Sequence, residues 1–127
     1  MISSFLTVQS SPNRGRGVFT TRNIKKGTVI ETSPVLVLTE KERKILEKTI
    51  LYHYVFEWGN DKKKAALALG YISLYNHSYN SNCEYEMEFG KKIMTIRAVK
   101  NIKKGEELFI NYNATPDDKT KVWFDTK

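Results

Sequence analysis

A chain of 127 residues, 40% hydrophobic and 28% charged, carries enough apolar material for one core and too much for wholesale disorder. A lone cysteine, Cys83, excludes an internal disulfide and a cysteine zinc cluster, and no apolar run reaches the length that spans a bilayer. The net charge of +7 suits an anionic partner such as nucleic acid, yet the lysines fall in short clusters without interleaved aromatics, which fits a solvated basic surface better.

Phe5–Gln9 alternates weakly and reads as an opening strand, after which Ser10-Ser11-Pro12-Asn13 and Arg14-Gly15-Arg16-Gly17 form an extended turn. Val18–Thr21, Thr28–Thr32 and, after Pro34, Val35–Leu38 are three short β-rich runs. A helix follows near residues 39–51. Thr39 and Glu42 make a capping box, and Ile45, Leu46, Thr49 and Ile50 share one face. Tyr52–Trp58 is aromatic and strand-like, and Ala65–Gly70 reads as a short helical turn. Cys83–Phe89 and Ile93–Val99 flank Gly90-Lys91-Lys92 as a hairpin, and Leu108–Tyr112 is the last strand. Along the first hairpin arm Glu84, Glu86 and Glu88 share one face, opposite Cys83, Tyr85, Met87 and Phe89.

One hexapeptide occurs twice: Arg22-Asn23-Ile24-Lys25-Lys26-Gly27 returns as Lys100-Asn101-Ile102-Lys103-Lys104-Gly105. Each copy lies between strand-like runs, so two similar β-units point to a mainly β domain rather than an α/β alternation. Residues 1–127 are expected to form one domain with its core over 4–113, leaving 114–127 as a C-terminal segment.

Three clusters carry candidate chemistry. In Gly15-Arg16-Gly17 paired glycines admit close approach of a ligand to the backbone; taken alone, such a stretch is usually a turn. Tyr75-Asn76-His77-Ser78 sits between an apolar region and a strand, where a buried Asn and His need hydrogen-bond partners. With only His53 and His77 in the chain, a histidine metal site is not expected. Gly105-Glu106-Glu107-Leu108-Phe109-Ile110-Asn111-Tyr112 is a turn, a strand and a terminal tyrosine.

In this order and at these distances the three clusters resemble the SET-domain protein-lysine methyltransferases, and among them the compact viral and bacterial members. The resemblance implies the β-clip fold of short curved sheets with a knot-like C-terminal crossing. It also implies S-adenosylmethionine as methyl donor, S-adenosylhomocysteine as product, and no metal. By that resemblance the Gly15, Arg16 and Gly17 backbone and Asn76 and His77 hold the cofactor, and Tyr112 is the catalytic tyrosine. Tyr54 and Tyr85 line a lysine channel, with Trp123 and Phe124 as candidates to close it in place of a missing Cys-rich tail. Two positions depart from the family pattern: Tyr79 and Ser81 stand where Cys and Pro are common.

The chemistry agrees with such a residue set. Methyl transfer from a sulfonium needs an aligned neutral amine, and neutralising a free lysine at pH 7 costs roughly 4–5 kcal/mol. A cation nearby and an apolar aromatic surrounding lower that cost. The implied substrate is a protein lysine, with a histone tail the family's usual target and the acidic face of Glu84, Glu86 and Glu88 as one place to receive a basic peptide. The alternatives are a catalytically inactive SET-like peptide- or chromatin-binding module and, with charge alone behind it, a basic nucleic-acid-binding β domain. Met1–Pro12 does not read as a secretory signal, so the expected location is the cytoplasm, or the nucleus if chromatin is the target; homodimerisation stays open.

Overall fold

The computed structural model describes residues 1–12 and 14–112. As expected from the sequence it is mainly β: β1 (Leu6–Ser11), β2 (Gly15–Thr20), β3 (Val29–Leu38), β4 (Val55–Trp58), β5 (Lys64–Ala68), β6 (Asn76–His77), β7 (Cys83–Glu88), β8 (Ile93–Ala98) and β9 (Glu107–Ile110). One helix, α1 (Glu40–Leu46), and two 3-10 turns, Ile50–His53 and Ile72–Leu74, interrupt them. The strands form a four-stranded sheet in the order β1-β2-β9-β6 and a five-stranded sheet in the order β4-β5-β3-β8-β7. Val18, Ile30, Ile72, Tyr75, Met94, Ile96, Ile102, Leu108 and Ile110 fill the main core between them.

Three local expectations change. The runs on either side of Pro34 are a single strand: β3 pairs with β8 up to Pro34 and with β5 from Val35 onward. Proline has no N–H to give a ladder, and it stands where the strand changes partners. Ala65–Gly70 is not helical. Alanine favours helices in isolation, but β5 lies between β3 and β4 and takes ladder bonds on both edges, with Ala65 and Ala66 fully buried. The aromatic run is a strand only over Val55–Trp58, because Thr49 caps the preceding 3-10 turn by accepting the Leu51 N–H.

The helix starts where its capping box puts it, with Thr39 Oγ1 3.2 Å from the Glu42 N–H it accepts and Glu42 Oε1 2.9 Å from the Thr39 N–H. It stops at Leu46, the one buried residue of α1, so Thr49 and Ile50 never join its face; Ile45 and Ile50 are 64% and 73% exposed. Arg43 instead ties the helix to the sheet through the Glu57 carboxylate at 2.9 Å. The hairpin β7–β8 forms as read, although Lys92, at φ +54°, rather than Gly90 takes the left-handed turn position.

The pairing that brings two of the sequence clusters together is β6 with β9, in parallel, setting Asn76 opposite Phe109 and His77 opposite Ile110. It lays the Asn-His-Ser segment along the strand that leads to Tyr112. The knot-like crossing expected after that strand, together with Trp123 and Phe124, falls outside the described residues.

Candidate active site

Gly15-Arg16-Gly17 opens β2. On one edge it pairs with Ser11, Ser10 and Gln9 of β1; on the other, β9 meets β2 only at Val18 and Phe19. The two glycines are needed for different reasons. Gly15 has φ +73° with open space where a Cβ would be, so it serves the turn. Gly17 has no such backbone demand, but a Cβ there would run into Glu107 Oε2 and lie 2.8 Å from Asn76 Nδ2. Gly17 is therefore a site of close approach.

What fills that space is a polar knot. Asn76 is 1% exposed, and its Nδ2 donates both to the Arg16 carbonyl at 3.0 Å and to Glu107 Oε2 at 2.8 Å. Glu107 Oε1 in turn accepts from the Ser11 hydroxyl at 2.6 Å. Both Asn76 N–H hydrogens are thus used within the protein, while its Oδ1 is buried without a partner among the described residues.

His77 shows the same half-satisfied state. Its Nδ1 accepts the Tyr112 N–H at 3.0 Å, which leaves the ring proton on Nε2, a buried donor with no partner among the described residues. Burial first, and the Arg14 charge second, lower the His77 pKa, so the neutral ring is favoured. Tyr79, one of the departures from the family pattern, packs edge-on against this ring with centroids 4.4 Å apart.

Tyr112 is 7% exposed and held on every side. Its hydroxyl donates to the Tyr75 carbonyl at 2.8 Å, and its own carbonyl accepts the Tyr85 hydroxyl at 2.9 Å. Phe56 packs edge-on against the Tyr112 ring at 5.7 Å and tilted against Tyr85 at 5.2 Å. Burial, and then the neighbouring Tyr85 and Tyr54 hydroxyls, push the Tyr112 phenol well above its ordinary range. Burial and Glu57 do the same to Tyr85. Both stay protonated at neutral pH.

The three sequence clusters therefore meet. Arg16 touches Asn76, Asn76 is followed by His77, and His77 carries the backbone of Tyr112, with Tyr85 bonded to it and Tyr54 near enough to act on its charge. Two solved structures share this architecture. One, described as a candidate histone methyltransferase of Plasmodium falciparum, aligns with a TM-score of 0.69 at 32% identity over 87% of this chain and 95% of that one. The other, a chain of ctPRC2 in complex with H3K27me3 and H3K27M, aligns with a TM-score of 0.73 at 19% identity, a likeness of fold alone. The SET-domain family model matches residues 15–113, which takes in all three clusters. The chain belongs to the SET-domain protein-lysine methyltransferases.

Among proteins of known function, the SET chain is 31% identical to the Schizosaccharomyces pombe histone-lysine N-methyltransferase specific for H3 lysine-37, over 98% of its own length and 80% of that protein's. It is 33% identical to the Danio rerio N-lysine methyltransferase KMT5A-A, over 87% of its length but only 36% of that protein's.

Sequence reasoning gave no site role to Glu107, Ser11, Tyr75 or Phe56, although Tyr75 and Glu107 stand inside two of the three clusters. For Glu107 a signal existed, since it is the second Glu of the Gly-Glu-Glu-Leu element. Nothing local marks Phe56, which comes from β4, and Ser11, though it lies opposite Gly15 in the β1–β2 hairpin, is marked only by its bond to Glu107, 96 residues away. Tyr75 is buried as a whole, and its hydroxyl bonds at 3.2 Å to Glu31, a fully buried carboxylate also held by Ser33 and the Tyr71 N–H. Tyr75 thus anchors the carbonyl that receives the Tyr112 hydroxyl.

Proposed function

We propose that this SET domain transfers a methyl group from S-adenosylmethionine to the side-chain amine of a protein lysine, with Tyr112 as the catalytic residue. The observation that carries the reading is the pair of buried, unanswered polar atoms, Asn76 Oδ1 and His77 Nε2, on adjacent residues of which Asn76 closes on the close-approach position Gly17. An amino-acid-bearing ligand fits these groups: Oδ1 accepts from an ammonium, and Nε2–H donates to a carbonyl, carboxylate or ring nitrogen. The edge of Gly15–Gly17 that β9 leaves unpaired lies beside them, with its Arg16 carbonyl taken by Asn76. When bound, S-adenosylmethionine supplies an electrophilic methyl group on a sulfonium.

Tyr112 acts without losing its proton. Its hydrogen is committed to the Tyr75 carbonyl, so the oxygen turns lone pairs, not a donor, toward an incoming group. A phenol held in this way accepts an amine N–H and so orients the nitrogen lone pair. Tyr85 and Tyr54 complete the aromatic surrounding that disfavours an ammonium and excludes water. His77, neutral and bonded to the Tyr112 N–H, fixes the backbone that carries the phenol.

The proposed substrate is a histone or another basic protein, and the protein is proposed to work in the cytoplasm or the nucleus. The fission-yeast relative is named for a histone H3 lysine, and the acidic face of β7 is the surface a basic peptide would meet. That face is weaker than its three carboxylates suggest, because Arg97 lies 3.4 Å from Glu86 and Lys91 3.6 Å from Glu88. Residues 1–127 act as one domain in this reading, with Trp123 and Phe124 assigned to cover the channel.

Labelled methyl transfer to purified histones, alongside calorimetry with S-adenosylhomocysteine, tests the proposal. Transfer to lysine with product-cofactor binding is expected. Binding without transfer to any basic protein would favour the inactive peptide-binding module instead, and absence of both would remove the cofactor assignment.

A further inference from the structure

The repeated hexapeptide is not absorbed by the catalytic site, and the fold brings its two copies face to face. The Ile24 N–H donates to the Ile102 carbonyl at 2.8 Å and the Ile102 N–H returns a 2.8 Å bond to the Ile24 carbonyl. Asn101 Oδ1 accepts the Lys26 N–H at 2.9 Å, and Asn23 Oδ1 accepts the Lys104 N–H at 2.8 Å. The Gly27 N–H donates to the Ala98 carbonyl, and the Gly105 N–H donates to the Thr20 carbonyl, each at 2.8 Å. These six bonds fall into three matched pairs, about a local two-fold axis between the buried Ile24 and Ile102.

This platform displays cations and little else. Arg22, Lys25, Lys26, Lys100, Lys103 and Lys104 are all exposed. Each of the five ion pairs among the described residues uses a cation elsewhere: Arg43, with two, Lys44, Lys91 or Arg97. The carboxylate that directly follows the second turn, Glu106, folds back to accept the Lys103 N–H. A shallow depression of about 560 Å³ lies between Lys25, Lys26 and Lys103. The turns leave β2 and β9 at the ends away from Gly15 and Tyr112.

We propose that these paired Lys-Lys-Gly turns are a docking surface for the phosphate backbone of duplex nucleic acid. The chemistry selects the partner. The Lys26 and Lys104 amides are occupied by asparagine side chains, so there is no backbone nest to hold one small anion. Lysines on long stems act as point charges and suit a repeating array of phosphates. None of the large exposed apolar side chains belongs to these turns, so nothing inserts into a lipid surface, and the aromatic ring beside Arg22, Phe5 at 5.3 Å, is half-buried and capped by that guanidinium rather than open to unpaired bases. Two equivalent arms on a rigid, cross-bonded base present the charge in a fixed arrangement to a regular polyanion.

Fluorescence anisotropy with a short duplex DNA of arbitrary sequence, repeated over a salt series, tests the proposal on the full chain. Engagement of four to six phosphates gives a log–log slope of about −4 to −5. Replacing Lys25, Lys26, Lys103 and Lys104 together with Glu should weaken binding at least about tenfold and flatten the slope by roughly 3–4. The backbone bonds of the turns survive these changes, so the variant should melt like the parent and bind S-adenosylhomocysteine equally well. A control with the same charge change on the α1 side, Lys41, Lys44, Lys48 and Lys63 to Glu, should keep most of the affinity. Equal loss in both variants would reduce the effect to net charge and overturn the assignment. So would unchanged binding in the turn variant, or tighter binding to anionic phospholipid vesicles than to duplex DNA.

Discussion

Adding one methyl group at Gly17 tests how the site is built. The new Cβ of Gly17→Ala would press on Glu107 Oε2 and lie 2.9 Å from Glu107 Cδ and 2.8 Å from Asn76 Nδ2. Glu107 is not a loose side chain able to step aside, because Ser11 and Asn76 hold its two oxygens at 2.6 and 2.8 Å. Moving it breaks two hydrogen bonds to a carboxylate, each about 1.5–3 kcal/mol, for a total of about 3–6 kcal/mol. In a chain of this size that lowers Tm by roughly 10 °C or more. Asn76 loses its tether as well, so affinity for S-adenosylhomocysteine by calorimetry should drop at least about tenfold. Glu107→Ala, which clears the space, supplies a second arm: in that background Gly17→Ala should cost much less than alone, a non-additivity expected of residues in contact. A Gly17→Ala variant with parental Tm and affinity would refute the reasoning, as would additive losses in the double variant.

Tyr112→Phe removes the hydroxyl bonded to the Tyr75 carbonyl and should cut single-turnover methyl transfer at least about a hundredfold, the low end of what positioned groups contribute, while cofactor affinity stays within a few-fold. His77 has a pKa lowered from 6.5, so the unfolded chain binds the proton more tightly and stability should fall as pH drops below about 6.5. Glu31 works in the opposite sense: its pKa is raised from 4.5 by burial, so its contribution is greatest at low pH and is lost as pH rises through the raised value. The His77 part is isolated by urea titrations of the parent and His77→Asn at neutral and mildly acidic pH, where the Asn variant should show the smaller acid loss. Thr39→Ala removes the helix cap and should cost about 1 kcal/mol in the same titrations, with methyl transfer unaffected.

Much of this architecture was legible in the chain because the signals were local. The capping box, the hairpin around Gly90 and the alternation along β7 each depend on residues a few positions apart. The meeting of Gly15–Gly17, Asn76–His77 and Tyr112 was legible only as an ordered pattern resembling a family; no periodicity predicts that β6 runs parallel to β9. What escaped was set by neighbours distant in sequence. Ala65 and Ala66 read as helical until two flanking strands claim them, and Pro34 reads as a break until β3 proves to change partners there. Glu107 escaped for the same reason, since its two partners come from β1 and β6.

The central claim, that three separated stretches form one cofactor pocket ending at Tyr112, is tested most directly by amide NMR during titration with S-adenosylhomocysteine. The amides of Gly15–Gly17, Asn76–Ser78 and Tyr112 should shift together and saturate with a single Kd, while those of Lys25–Gly27 and Lys103–Gly105 stay in place. Shifts confined to one of the three stretches, or separate binding constants for them, would contradict the account.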